Sequence, residues 1–554
     1  MGTHLKRHGY SRPAALGVAL IMVVAACAPQ APAAPPVVSS SPTPAAAKAP
    51  APQQAVAPRY GGTLKTLMGC IVGNFDPIYT GTCDSIMNWP VYNAVVEKNT
   101  RPGQLDEFVP ALAESWSVSP QGTEYTFQLR KDVKWHDGSP FTAADVEYTF
   151  DAIFKPPQGM ASSHKARLST VTGVQSAGDY TVTIKTSAPT AALIETLSTI
   201  KIAPKHVHQG KRPFKSTALG TGPFALEMFR ADQSGFLLRK NPAYFVKGLP
   251  YLDAIDYITI RDDKAREAVL RAGRADASTI DITDGGVQAL KEHPRIKLLV
   301  FPKLQYAALW FRFGLGKPWE DVKVRRAVSL AIDRDALIKA AWPGENPAAF
   351  VLPGPWALPQ TEVSAYPGFG KDAKANLAEA KRLLKEAGYP DGFSVEMVYG
   401  TTIRWSDSAE TIQQMLKEVG IKVNLRGVDN ATAEALTRGG TFEFTHRPNV
   451  PTLMDPTDIL SAYVTGAAQI SHKYSNPKVD DLYKKAGTTL DTAARKATVN
   501  QLERELFNEL PVIPLVLRNG NQAHWDYVKG WETYGLWFHP VWRLERVWMD
   551  ESLR

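Results

Sequence analysis

The chain has 554 residues, of which 44% are hydrophobic and 21% charged; this excludes a disordered polymer and leaves room for two or three domains. The formal charge of +8 comes from scattered Lys and Arg, as in KLLVFPK and LKEAGY, and not from a basic stripe, so no nucleic-acid partner is expected. Aromatic residues make up 10%, with 13 Trp, and serve either a core or a ligand-stacking cleft.

The N-terminus reads as an export signal over residues 1–26. His4, Lys6, Arg7, His8 and Arg12 form a basic start, and AALGVALIMVVAA follows as an apolar stretch of 13 residues, too short to span a bilayer. Small residues then precede Cys27, as in a bacterial lipobox; cleavage at a nearby Ala with Cys27 incidental is the alternative. Losing the three basic residues of that segment lowers the formal charge to +5. Residues 28–57 are Pro/Ala-rich with one charge, Lys48, and cannot bury a core. In extended form such a tether reaches roughly 90 Å at about 3.1 Å per residue. Beyond it no apolar run of 18 residues occurs, so the remainder is expected to be soluble, in the periplasm or on the envelope surface. Cys70 and Cys83 are the remaining cysteines; sequence leaves open whether they pair.

The folded part is expected from about residue 58. YGGTLKTLMG, EYTFQLRKDVKW, DYTVTIKT and DAIDYITIR alternate apolar and polar residues as half-buried strands do. DDKAREAVLRAG, VRRAVSLAIDRDALIKAAW, NLAEAKRLLKEAG, SDSAETIQQMLKEVG and KATVNQLERELFNEL carry helical periodicity, several ending in Gly. The order FSVEMVYG, helix, IKVNLRGV predicts a parallel strand pair, and the whole an α/β fold in two lobes.

One stretch, KWHDGSPFTAADVEYTF, places His136, Asp137 and Ser139 within six residues, the side-chain types of a serine hydrolase. Its chemistry is that of a turn: Asp-Gly then Pro, with Thr142 capping the next helix and Asp145 in its first turn. A nucleophile elbow needs Gly on both sides of the Ser, and triads are assembled from distant segments. No catalytic group, metal or cofactor is expected.

The region ALAESWSVSPQGTEYTFQLRKDVKWHDGSPFTAADVEYTFD resembles the signature of family 5 extracellular solute-binding proteins, the receptors of peptide, nickel and related ABC importers. GTGPF, NPAYF, DVKVRRAVSLAIDRDAL, AKRLLKEAGYPDGFSVEM, YSNPKVDDL and LPVIPL extend the resemblance across residues 59–554. It implies a two-lobed periplasmic-binding-protein fold: lobe I from 58–308 plus 516–554, with an inserted subdomain at about 80–210, and lobe II from 309–515. Crossings are expected near LQYAALWFRFG and PVIPLVLRNG. A small solute, peptide-like or another polar organic compound, binds between lobes that close and present it to a permease and ATPase. The protein is expected to be a lipid-anchored monomer. Presentation to a signalling partner is the alternative, and a secreted hydrolase a weaker one.

Three stretches supply candidate contacts. MGCIVGNFDPIYTG, which faces the cleft in the family, gives Asn74, with Trp89 and Tyr92 shortly after it. The loop YGTTIRWSDS gives Arg404 for a carboxylate and Trp405 for stacking. The loop FTHRPNVPTLMDPTDIL gives His446, Arg447, Thr452, Met454 and Asp455. Peptide-binding relatives carry an Asp four residues before the Pro of this last stretch, where it pairs with the peptide ammonium. The equivalent position here is Thr452, which shifts weight toward anionic or amine-blocked ligands met by Arg404 or Arg447.

Overall fold

Alternation along the sequence becomes one wide sheet. The strand Thr63–Met68 turns Leu64 and Met68 to one core and Leu67 to another, and pairs in parallel with Ala254–Thr259 and Ala277–Ser278. In this computed structural model residues 57–79, 83–99, 107–209, 214, 216–370, 372–468, 470–532 and 543–554 are described. The export signal, Cys27 and most of the tether lie outside them.

The large sheet has 11 strands. One half comprises Ala277–Ser278, Thr63–Met68, Ala254–Thr259, Gly235–Lys240 and Phe224–Phe229. The other comprises Lys422–Val428, Ser394–Gly400 and Phe444–Asn449, the first two paired in parallel as the sequence predicts. Two long antiparallel strands, Ile296–Phe311 and Val512–Trp525, run through both halves. Their register breaks between Pro302 and Tyr306, close to the expected crossings. A separate four-stranded antiparallel sheet, built from Ala113–Val118, Glu124–Leu129, Thr181–Thr186 and Val171–Ser176, has its own core around Phe127, Trp135, Phe141 and Phe150.

The largest core lies under the Lys422–Val428 half and includes Trp319, Trp342 and Phe507. Each such ring removes roughly 150–250 Å² from water, worth about 4–6 kcal/mol at about 25 cal/mol per Å².

Two readings need correction. The single helix expected over residues 324–342 is two, Val322–Ala331 and Arg334–Ala341. Asp333 interrupts it by turning its carboxylate onto Ala336 N at 3.0 Å, capping a new helix in place of continuing the old one. The segment FTHRPN is not a loop but the strand Phe444–Asn449, seated between Ile296–Phe311 and Ser394–Gly400. Pro448 lacks an N–H and discourages a strand reading, yet it pairs in register with Ala307.

Candidate functional site

Where the halves meet, the site begins with a close approach of two backbones. The helix Ser85–Val91 carries Trp89, and its last turn is gripped by GTGPF. A Cβ on Gly220 would stand 1.8 Å from Val91 O, and one on Gly222 would stand 2.5 Å from Val91 C, so only Gly fits either position. Gly222 N also donates to Val91 O at 2.8 Å. Trp89 is thereby held against Leu304, which lies inside the register break of the shared strand, and Leu352 and Met454 pack onto the same Leu304 from the other half.

Charged side chains ring this apolar point. Lys201, 4% exposed, sets its ammonium 3.5 Å from the centre of the Trp89 ring. Glu195, on the helix Leu193–Thr199, holds Lys98 at 3.0 Å and accepts from Met454 N at 2.5 Å, a bond from the helix packed on the four-stranded sheet's core to the opposite half. Burial raises the Glu195 carboxyl above its usual range, Lys98 opposes that, and Asp455 adds to it. Asp455 is held by Arg495 at 2.7 Å and caps the helix Pro456–Leu460. Arg167 donates to Thr452 Oγ1 and stands 3.9 Å from Asp458, whose carboxylate accepts from Thr452 N at 2.5 Å and Leu453 N at 3.0 Å.

A second cluster lies by the shared strands. Glu345 pairs with Arg404 at 3.0 Å and Arg518 at 3.4 Å, and both guanidiniums lie over Trp342. Asn519 N also donates to Glu345. Burial pulls the Arg404 guanidinium down to about 10, with Arg518 adding to the effect; burial raises Glu345 and Arg518 opposes. Lys303 pairs with Asp281 beside them.

The structure therefore brings together Trp89, Thr452, Met454 and Asp455. Arg404 and Trp405 belong to the second cluster, and they sit in the helix Ile403–Lys417 rather than a loop. Arg404 is committed to Glu345, and Trp405 stands edge-on to Trp342 at 5.2 Å and beside His446 at 4.7 Å. His446 is a core residue: 1% exposed, bonded to Ser408 Oγ at 2.8 Å and Ala308 O at 3.1 Å, and held by burial down to about 4. Arg447 pairs with Glu434 at 3.1 Å. Tyr92 is fully buried with its hydroxyl on Phe75 O at 2.9 Å, so it supports the helix carrying Trp89 from within. Asn74 shapes its own loop, accepting from Asp76 N at 2.9 Å and donating to Tyr79 O at 3.1 Å. Cys70 and Cys83 are joined as a disulfide, with Cα atoms 6.0 Å apart, across that same loop.

Lys98, Arg167, Glu195, Lys201 and Glu345 escaped sequence reasoning. For Lys201 a signal existed: it is the one charge in the run STIKIAP.

The hydrolase question has a geometric answer. Asp137 and Ser139 do meet a histidine, His206, but both approach its Nε2, at 2.8 and 3.1 Å. A relay needs the acid on one ring nitrogen and the nucleophile on the other. His136 is elsewhere, with Nε2 on Gly222 O at 3.0 Å, and serves the GTGPF grip.

The sheet is shared by two halves through two long strands, and side chains from both halves meet on Leu304 at the crossing. The family model for bacterial extracellular solute-binding proteins, family 5 Middle, matches residues 107–471, and the chain belongs to that family, the binding receptors of ABC importers. Among relatives, it is 28% identical over 497 residues to the dipeptide-binding protein DppE of Bacillus subtilis (strain 168), covering 84% of this chain and 88% of that one. It is 28% identical over 445 residues to the glutathione-binding protein GsiB of Escherichia coli (strain K12), covering 74% and 81%. Among solved structures, AgaA of A. tumefaciens R10 in complex with agropinic acid superposes with a TM-score of 0.70 at 26% identity, covering 88% of this chain and 99% of that one.

Proposed function

We propose that this receptor captures a peptide-like or related polar organic solute at the Trp89–Leu304–Met454 crossing and presents it to the permease. Lobe I is then 58–308 plus 516–554 with its insertion at about 80–210, and lobe II is 309–515. What supports this is the Leu304 cluster, in which side chains from both halves meet at the strand irregularity about which they can pivot. The relatives named for dipeptide and glutathione and the AgaA complex suggest the ligand class.

Among the described residues, the ammonium of an ordinary peptide finds no free acid at Thr452. Asp455 is engaged by Arg495, and Asp458 by backbone N–H groups. Burying an ammonium without a counter-charge costs several kcal/mol, so amine-blocked or anionic ligands are favoured. Lipidation of Cys27 and a monomeric state complete the reading. Native mass spectrometry of the secreted chain, followed by thermal shift across free and amine-blocked peptides, tests it. A large shift with free-amine peptides alone contradicts the ligand preference; no shift with any peptide contradicts the ligand class. Cys27→Ala should release the protein from the membrane fraction.

A further inference from the structure

We infer that Lys201, seated on the face of Trp89, is a carboxylate-accepting subsite for an organic monoanion carrying an apolar group beside its carboxylate. The inference rests on the proposed ligand position between the halves.

The argument begins with what Lys201 lacks. It is 4% exposed, and among the described residues its ammonium has neither a hydrogen bond nor an ion pair; its contact is the indole face at 3.5 Å. A cation over an indole recovers about 2 kcal/mol when desolvated, less than a close carboxylate would supply to the same ammonium. The nearby acids are already occupied. Glu97 holds Arg543 at 2.8 Å and Asn93 Nδ2 at 3.1 Å, and Glu545 also holds Arg543. Burial consequently pulls Lys201 down to about 8, although Glu97 pushes the other way.

Compare the rest of the seam. Glu195 has Lys98, Asp455 has Arg495, and Glu345 has two arginines. Lys201 alone in this group has no carboxylate, and it stands beside the Trp89–Leu304–Leu352–Met454 cluster that separation of the halves would uncover. One carboxylate suffices for the one ammonium, because the neighbouring Arg543 is already held by Glu97 and Glu545. The apolar cluster selects what adjoins it. A C-terminal hydrophobic amino acid has both features: its carboxylate accepts from the ammonium and its side chain meets Leu304 and Met454.

The test uses the mature chain, its Lys201→Met variant, which keeps the apolar stem, and Lys201→Arg, which restores the cation. Isothermal titration compares N-acetyl-Ala-Leu with its C-terminal amide. The wild type should prefer the acid by about tenfold or more. Lys201→Met should bring that ratio near one, and Lys201→Arg should restore part of it. A ratio unchanged by Lys201→Met overturns the subsite. Should the wild type bind neither peptide, the peptide-like reading fails, and the subsite is decided separately by propionate, titrated while following the fluorescence lost in Trp89→Phe. A response in the wild type that Lys201→Met abolishes supports the subsite; equal responses, or none, overturn it.

Discussion

Two buried charges face the same seam under opposite conditions. Glu345 is matched by Arg404, Arg518 and the N–H of Asn519, whereas among the described residues Lys201 meets only an aromatic face. The first arrangement is complete and fixes the strand crossing. The second lacks an acid among the described residues, as a ligand contact would before its ligand arrives. A close polar network therefore marks structure here, and an unmatched buried group marks the candidate site.

Breaking the complete cluster should have the largest effect. Glu345→Ala removes the carboxylate shared by two guanidiniums and an N–H and should lower stability by about 3–5 kcal/mol. The urea midpoint measures this, and a loss below about 1 kcal/mol would show that solvent already screens the pair.

Two single groups inside the fold sharpen the contrast through pH, each worth up to about 3 kcal/mol. Glu503 accepts from Val351 N at 3.0 Å and Leu358 N at 2.8 Å with no cation in contact, and burial lifts it from 4.5 to about 7. It binds its proton more tightly folded than unfolded, so the stability it contributes below pH 4.5 is lost as pH rises through 7. Glu503→Gln should flatten that decline in urea titrations at several pH values; an unchanged slope contradicts the assignment. His446 has the opposite sign. Its folded value of about 4 lies below the usual 6.5, so its contribution is present above 6.5 and is lost as pH falls through 4. In His446→Gln the acid limb of the thermal-stability profile should become shallower, and a limb of wild-type steepness rules this out.

The smallest effect belongs to the exposed bridge from Arg167 to Thr452 and Asp458. Arg167→Ala removes the contact with Thr452 and the longer one with Asp458, about 0.2–1 kcal/mol in total. Small-angle scattering should show a modest shift toward separated halves. A change in ligand affinity beyond tenfold would mean that Arg167 touches ligand.

Local chemistry was legible in the sequence. The alternation in TLKTLM and EYTFQL gave strands, and the Thr142 and Asp262 caps gave helix starts. The parallel pair of Ser394–Gly400 with Lys422–Val428 followed from element order. Of the candidate contacts taken from the resemblance, Trp89 and Met454 both pack on Leu304, and Thr452 and Asp455 flank Met454 in the chain. The remainder depends on partners far apart in sequence, such as Arg167 with Thr452 or Glu345 with Arg518. Arg404 read as a free anion receptor because nothing local reveals Glu345, 59 residues away. His446 and Arg447 read as loop residues because a polar strand containing Pro is made tenable only by its neighbours in the sheet.

The two long strands carry one more consequence. Because Ile296–Phe311 and Val512–Trp525 each contribute backbone hydrogen bonds on both sides of the crossing, neither half can melt without fraying the other's central pair. Amide protons of Leu298 and Leu309, in opposite halves, should therefore exchange with solvent through the same global opening, so the receptor should unfold as one cooperative body.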